Sequence, residues 1–287
     1  EVTDYDPFLA TPAVGASVVI PVVVINYLPT VDGVNLDMSR APDDFYQLRY
    51  STLEEAKKRI AGELKITKFG IEEGTRFRQF NSAERVSPYV GIKVVKYFNF
   101  YDLKMKEWMW NGTKKTPDYY DLFSRLEMQD LVDNQGVREV WITMFNKDKF
   151  PSIENGPYDD PSTYYGIPES NMSSPLTGDI SNSHRDQNDL PVYHHTYVVY
   201  GNSAHRGADT NLHNRGHQLE AQFSYIEELR GSTTPGSRLF WNYFAGLGNN
   251  PGSDIPSGRA GATHFPPNAT RDYDYDNPVF VKSDIRT

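Results

Sequence analysis

The stretch VVIPVVVIN, residues 18–26, decides the fold class, because seven of its nine residues are Val or Ile. A short, nearly continuous run of β-branched residues is typical of a strand that is buried on both faces, as in a parallel sheet. Three more segments have this character: GIKVVKYFNF at 91–100, VREVWITMF at 137–145 and TYVVY at 196–200. Pro21 favours an edge position or a bulge for the first strand.

Helical patterns lie between these strands. Segment 51–64 begins with Ser51 three residues before Glu54, which is a capping-box pattern. Segment 118–136 has helical spacing of its leucines and ends at Gly136, a residue typical of a helix C-terminus. A third helix is predicted up to about Arg230. Alternating strands and helices predict an α/β fold, with a mainly parallel, helix-flanked sheet in a single domain over residues 1–287.

Two segments, 146–192 and 248–278, show neither the helical nor the strand spacing of apolar residues. Both are rich in Pro, Asn, Asp and Tyr. Irregular segments of this length inside a compact domain are uncommon and usually functional. We therefore expect both to be long loops that contribute to a site. Aromatic residues make up 13% of the chain, and tyrosines in polar loops suit sugar or peptide surfaces. The alternative is that they pack the loops onto the core.

The composition excludes some functions. A net charge of −9 and a pI near 5.3 give no basic field for nucleic acid, and we expect no nucleotide cofactor. Cysteine is absent, which excludes disulfides and thiol chemistry. The longest apolar run is too short for a membrane span. The chain starts EVTDYDPF without Met, so we expect a removed signal peptide and a secreted, extracellular protein.

All seven histidines fall between residues 184 and 264. Histidine is the commonest metal ligand and general base, so this clustering indicates a site. His194 and His195 precede a strand, where alternation would let at most one of them reach a shared site.

The segment LHNRGHQLEAQF, residues 212–223, places His213, His217 and Glu220 on one side of a helix. Two histidines four residues apart can present nitrogens to one Zn²⁺ ion, with Glu220 as a third ligand or as a partner that orients an imidazole. A catalytic role without metal and a half-exposed helix flank are the alternatives. Gly216 lets another backbone approach closely. The predicted core-facing stripe is Leu212, Leu219, Phe223 and Ile226.

Other candidates follow the predicted strands. Arg206 comes after the strand at 196–200, at the sheet edge where parallel sheets bind ligands. Glu169, in the first long loop, could act as general acid or base, or could stabilise a turn. His264 lies beside two prolines in the second long loop and could be a further ligand. The run Asp272, Asp274 and Asp276 resembles a loose calcium loop without EF-hand spacing.

The segments PESNMSSPLTGDISNS, LPVYHHTYVVYG, HNRGHQLEAQ and THFPPNATRDYDYDN resemble a family of secreted bacterial proteins to which no activity is attached. The likeness covers about the last half of the chain and extends to IPVVVINYLPTVDGVNLD near its start. It implies export and draws attention to Glu169, His217, Glu220 and His264. A Cys that family members carry near the stretch SGRAGATH is missing here.

These observations predict a secreted hydrolase that acts on an extracellular polymer, either glycan or peptide. Zinc would be held by His213, His217 and His264, with Glu169 and Glu220 as catalytic carboxylates and Arg206 as an oxyanion or carboxylate partner. A metal-free variant would use Glu169 and Glu220 as paired carboxylates. The alternative is a non-catalytic carbohydrate- or surface-binding protein with structural calcium.

Overall fold

A computed structural model describes residues 6–38, 50–101, 117–145, 169–181, 190–231, 239–246 and 260–280. In chain order the helices are α1 Pro7–Ala10, α2 Leu53–Gly74, α3 Tyr119–Arg125, α4 Met128–Asp133 and α5 Ala208–Leu229. A 3-10 helix spans Thr75–Arg85 and a π-helix spans Leu239–Ala245. The strands are β1 Val18–Tyr27, β2 Val90–Phe100, β3 Glu139–Met144, β4 Ser170–Ser174, β5 Gly178–Ser181 and β6 Tyr197–Ser203.

The described strands form one six-stranded sheet in the order β2-β1-β3-β6-β4-β5. The pairs β1–β2, β1–β3 and β3–β6 are parallel, whereas β4 pairs antiparallel with both β6 and β5. The predicted α/β class with a mainly parallel sheet is therefore confirmed. Among the described residues, no helix has the length and apolar character that a membrane crossing needs.

Strand β1 is an inner strand next to the edge strand β2, and its side chains from Val22 onward enter two separate cores. Val23, Ile25 and Tyr27 join a buried cluster with residues of α3 and α4. Val22 and Val24 join a second buried cluster with residues of α2. Because successive side chains of a strand point to opposite faces, a strand covered on both sides needs apolar residues at every position. This explains the Val and Ile residues from Val22 to Ile25, whereas Val18 and Val19 at the start of the strand are exposed.

Pro21 favoured either an edge position or a bulge for the first strand. The structure shows that β1 is not an edge strand and that it has a bulge just after Pro21. Pro21 pairs with Lys93 of β2, and the register shifts between Val22 and Val23. Pairing of β1 with β3 starts only at Val22, while the carbonyl of Pro21 accepts a hydrogen bond from Arg138 N at 3.0 Å. The missing N–H of proline is tolerated because Pro21 lies before the two-sided part of the ladder.

Part of the predicted loop 146–192 is a β-hairpin. Strands β4 and β5 have the sequences SNMSS and GDIS, and every residue of β4 is buried. Two of the small polar side chains find partners: Ser173 Oγ donates to Pro191 O and Ser174 Oγ pairs with Thr196 Oγ1, both at 2.8 Å. Ser170 Oγ is buried without a hydrogen-bond partner among the described residues. Propensity and periodicity missed this strand because its burial depends on hydrogen bonds rather than on apolar side chains.

Helix α2 begins close to the predicted start but continues ten residues beyond the predicted end at residue 64, to Gly74. The capping box of α2 is formed by Thr52 and Glu55, one residue after the predicted pair. The predicted helix over 118–136 is two helices, because Glu127 adopts a left-handed conformation with φ 52° between α3 and α4. A non-glycine residue in that conformation ends the regular helix.

The chain divides into two compact units, residues 1–214 and 215–287. The division falls after Asn214, inside the continuous helix α5, and the single domain stays a prediction. The first unit contains the sheet. The second unit has a small apolar cluster of Trp241, Ala245, Phe265 and Ala269.

Candidate metal centre

The centre of the candidate site is a pair of histidines in the second unit. Nε2 of His217 on α5 lies 3.0 Å from Nε2 of His264 in the 260–280 segment. The two rings meet edge to face, with their centroids 4.7 Å apart at 77°. His213 lies one turn before His217 on α5, and the three histidines each offer a ring nitrogen within 4.8 Å of one another. The predicted ligands are thus brought together.

The other ring nitrogen of each histidine faces a carboxylate. Nδ1 of His217 lies 2.9 Å from Glu220 Oε2, and Nδ1 of His264 lies 3.2 Å from Asp272 Oδ1. A carboxylate that accepts from Nδ1, as Glu220 can from His217, favours the proton on that nitrogen and leaves a lone pair on Nε2. Nε2 of His217 and Nε2 of His264 are within hydrogen-bonding distance at 3.0 Å, so either a shared proton or a metal cation between them would satisfy both nitrogens.

Glu220 is held in its ionised form. Burial raises the pKa of its carboxyl, but the hydrogen bonds from His217 and from the Thr263 N–H outweigh burial, and the pKa is lowered. The Thr263 N–H donates to Glu220 Oε1 at 2.6 Å, while Oε2 faces His217. The sequence left Glu220 as a ligand or as an orienting partner, and its contacts correspond to the orienting role.

Gly216 allows the segment of Thr263 to approach α5. A Cβ atom built on Gly216 would lie 2.4 Å from Thr263 Oγ1. The sequence predicted that another backbone would come close at this turn; the nearest neighbour is the Thr263 side chain. A second glycine, Gly261, has φ +75° and would clash with the carbonyl of Phe265, so the turn before His264 requires a residue without a side chain.

The acidic run is engaged within its own turn. Asp274 accepts hydrogen bonds from Thr270, Arg271 and Asn277. The Thr270 N–H and the Asn277 side chain lower the pKa of Asp274, as does the Arg271 guanidinium. Asp276 pairs with Arg271 at 3.3 Å. Protein donors thus occupy carboxylates that a calcium ion would need.

The buried face of α5 is polar, which corrects the predicted stripe. Leu219, Phe223 and Ile226 are 54%, 40% and 41% exposed, and Leu212 is half-buried. After Ala208 in the first turn, the buried residues are instead Asn211, Asn214, Gln218 and Glu227. Asn211 donates to Thr67 on α2 at 3.0 Å and Asn214 donates to the carbonyl of Gly201 at 2.7 Å. These partners make the burial of Asn211 and Asn214 tolerable, whereas neither polar atom of the Gln218 side chain has a hydrogen-bond partner among the described residues.

The remaining predicted residues lie in the first unit. Glu169 directly precedes β4 and is half-buried, and its carbonyl accepts from Gly201 N at 3.1 Å. Arg206 follows β6, and its carbonyl accepts from Arg59 Nη2 at 3.4 Å. Their catalytic roles stay predictions.

His194, His195 and His205 are not part of the histidine cluster. His194 and His195 both contact Asp133, at 2.9 and 3.3 Å, and neither belongs to the cluster of His213, His217 and His264. They lie in a bend before β6, where strand alternation does not apply. His205 is buried and contacts Ser203 Oγ. His184 lies outside the described residues.

Sequence reasoning missed two contributors to the centre. Asp272 was read only as part of the acidic run, and Tyr273, whose ring lies 4.0 Å from that of His264, was not singled out. The spacing of His264 and Asp272 in a turn-rich segment gave no periodic signal. Comparisons of the chain with protein-family models, curated proteins and solved structures found no match.

Proposed function

We propose that the chain binds a divalent transition-metal ion, zinc by its ligand chemistry, through His213, His217 and His264. The observation that carries this proposal is the facing pair of Nε2 atoms, each on a ring whose Nδ1 contacts a carboxylate. Two nitrogens bound to one tetrahedral zinc at about 2.0–2.1 Å would lie about 3.3 Å apart, close to the 3.0 Å separation here.

The ligand set favours zinc over calcium. Zinc prefers imidazole nitrogen, whereas calcium takes six to eight oxygen ligands. The carboxylates of Asp272, Asp274 and Asp276 are already engaged by protein groups, as described above. The rival function, a surface-binding protein with structural calcium in this acidic run, therefore has less support.

A centre with three histidine ligands leaves one tetrahedral position for water, which is the arrangement of catalytic rather than structural zinc. Bound zinc would lower the pKa of that water to about 7 and polarise a substrate carbonyl or phosphoryl group. We therefore propose hydrolysis as the reaction. The substrate class stays an extracellular glycan or peptide, and Glu169 and Arg206 stay the proposed acid–base and oxyanion partners.

The metal site is tested by titrating zinc into metal-free protein and measuring the affinity by calorimetry and the stoichiometry by elemental analysis. We expect one zinc per chain. His217→Ala and His264→Ala should each weaken binding by about a hundredfold or more, since loss of an outer-shell partner alone costs 10–100-fold. The matched control is His195→Ala, because His195 contacts Asp133 instead of the cluster. Zinc binding that survives both substitutions would refute the site.

The reaction is tested separately with zinc-loaded protein on p-nitrophenyl acetate and on dye-labelled peptidoglycan, β-glucan and casein. We expect hydrolysis that disappears with chelator and in His264→Ala. Glu169→Gln should slow polymer cleavage by about a hundredfold, as loss of a general acid or base does, with unchanged zinc affinity. Stoichiometric zinc without turnover on any of these substrates would contradict the hydrolase while leaving the metal site intact.

A further inference from the structure

A second candidate site lies in the first unit, between α2 and the sheet. It is a cleft of about 400 Å³ at the carboxyl ends of β1 and β2. Asn26 and Leu28 line it from β1 and the residue that follows the strand. Tyr97 and Tyr101 line it from β2 and its end. Open parallel sheets bind ligands at this edge, and the volume is within the range of small-molecule pockets.

Asn26 belongs to a polar row that crosses the parallel strands. It pairs in register with Asn99 of β2 and Thr143 of β3, and Thr143 pairs with Asn202 of β6. Asn26 and Thr143 alternate with residues of the first core, so they lie on the face that α2 covers. Polar residues at one level of a buried sheet indicate selection for something other than packing, because apolar residues would fill these positions at lower cost.

The amide of Asn26 is only half satisfied. Its Nδ2 donates to Asn99 Oδ1 at 2.9 Å, and the residue is 7% exposed. Among the described residues, its Oδ1 has no hydrogen-bond partner. A buried acceptor without a donor opposes folding, whereas an isosteric leucine would not. Because Asn26 lines the cleft, a small side-chain rotation would let this unsatisfied oxygen receive a donor from a ligand.

The opposite wall supplies a cation. Lys57 on α2 lies with its Nζ 4.5 Å from the ring centroid of Tyr101, and it makes no ion pair with any residue that the structure describes. Asp6, at the same cleft, is paired with Lys65 at 2.5 Å. The Lys57 ammonium can thus donate to a ligand oxygen, while the apolar side chains of Leu28, Ile60 and Leu64 complete the floor.

We infer that this cleft binds a monosaccharide unit. A sugar hydroxyl would donate to Asn26 Oδ1, a ring oxygen or carboxylate would accept from Lys57, and the apolar face of the pyranose would lie against the tyrosine rings. This site shares no residue with the histidine centre. Its ligand binding can therefore be tested without zinc.

The experiment is saturation-transfer NMR and calorimetry on the metal-free full chain with glucose, N-acetylglucosamine and glucuronate. We expect at least one sugar to bind at millimolar concentration or tighter, and Asn26→Leu to weaken it at least tenfold without lowering Tm. Lys57→Met, on a solvent-accessible helix position, is a second variant that should weaken glucuronate more than glucose. Thr143→Val is the matched control, because Thr143 lies in the same polar row but does not line the cleft.

The comparison of glucuronate with glucose shows which ligand group Lys57 contacts. Tighter binding of glucuronate that weakens with salt assigns Lys57 to a sugar carboxylate, and equal binding of glucose assigns it to a hydroxyl or ring oxygen. Both support the pocket. It is overturned if none of the three sugars binds, or if Asn26→Leu and Lys57→Met both bind as well as the unmodified chain. Neither result bears on zinc binding.

Discussion

Glu220→Gln is expected to weaken zinc binding by about a hundredfold, although Glu220 is not one of the proposed ligands. The glutamine oxygen can still accept from the Thr263 N–H, which now contacts Oε1 at 2.6 Å. Its amide N–H₂ would then face His217 Nδ1 and donate to it. A donor at Nδ1 moves the imidazole proton to Nε2, and a protonated Nε2 cannot ligate a metal.

Asp272→Asn should act on His264 in the same way but more weakly. The Asp272 side chain is 55% exposed, against 16% for Glu220, so water can replace part of its contact. We expect about a tenfold loss for this single change. Because the two carboxylates act on different imidazoles, the double variant should lose about a thousandfold.

The measurement is zinc affinity by calorimetry, with the imidazole tautomers read from ¹⁵N chemical shifts of the metal-free protein. Glu228→Gln on the exposed face of α5 and Asp276→Asn, whose side chain is 82% exposed, are matched controls that should leave the affinity unchanged. If Glu220→Gln shifts the proton of His217 to Nε2 but binds zinc with unchanged affinity, the proposed orienting role is wrong.

Sequence periodicity predicted the elements whose burial depends on apolar side chains. The Val and Ile run of β1 can be read as a doubly covered strand because the side chains of Val22 to Ile25 alternate between two cores. Helix α2 could be predicted for the same reason, since Ile60 and Leu64 share its buried face. Apolar residues on a buried face recur along the sequence with the period of the helix or strand, so a short segment is enough to recognise them.

Burial through hydrogen bonds has no such signature. Strand β4 is built from Ser and Asn, and the buried side of α5 has Asn211, Asn214 and Gln218, so apolar patterning assigned the first to a loop and the second to solvent. The partners of Ser173, Asn211 and Asn214 come from other segments of the chain. Their pairing cannot be read from spacing along the chain.

The candidate centre shows the same contrast. His213 and His217 could be predicted together because one helical turn separates them. The contact of His264 with His217, and that of Asp272 with His264, join residues through turns without periodicity. Only the fold brings these groups to one place.

Glu72→Ala is expected to lower the free energy of unfolding by about 3–5 kcal/mol, because it leaves a buried ammonium without its counterion. Lys68 and Glu72 lie one turn apart on α2 and form an ion pair, with side chains only 1% and 6% exposed. Glu72 Oε1 also accepts from Ala13 N at 3.0 Å and from Ile92 N at 2.8 Å. One carboxylate oxygen therefore joins the segment before β1, helix α2 and the start of β2.

The double variant Lys68→Met, Glu72→Gln distinguishes charge pairing from hydrogen bonding. Glutamine keeps an oxygen for the two backbone N–H groups, and methionine removes the ammonium while keeping much of the apolar stem. Replacement of a buried ion pair by neutral groups of similar volume is often close to neutral, whereas removal of one partner is not. The double variant should thus be more stable than Glu72→Ala.

Urea unfolding followed by circular dichroism measures both effects. Asp121→Asn is the control, because the Asp121–Arg125 pair has the same i,i+4 spacing but exposed side chains. Its loss should cost no more than about 1 kcal/mol. A cost for Glu72→Ala as small as that of the control would mean that solvent reaches Lys68 in the folded chain. The three segments would then be joined by apolar packing alone, and the buried carboxylate would have no role in fixing their arrangement.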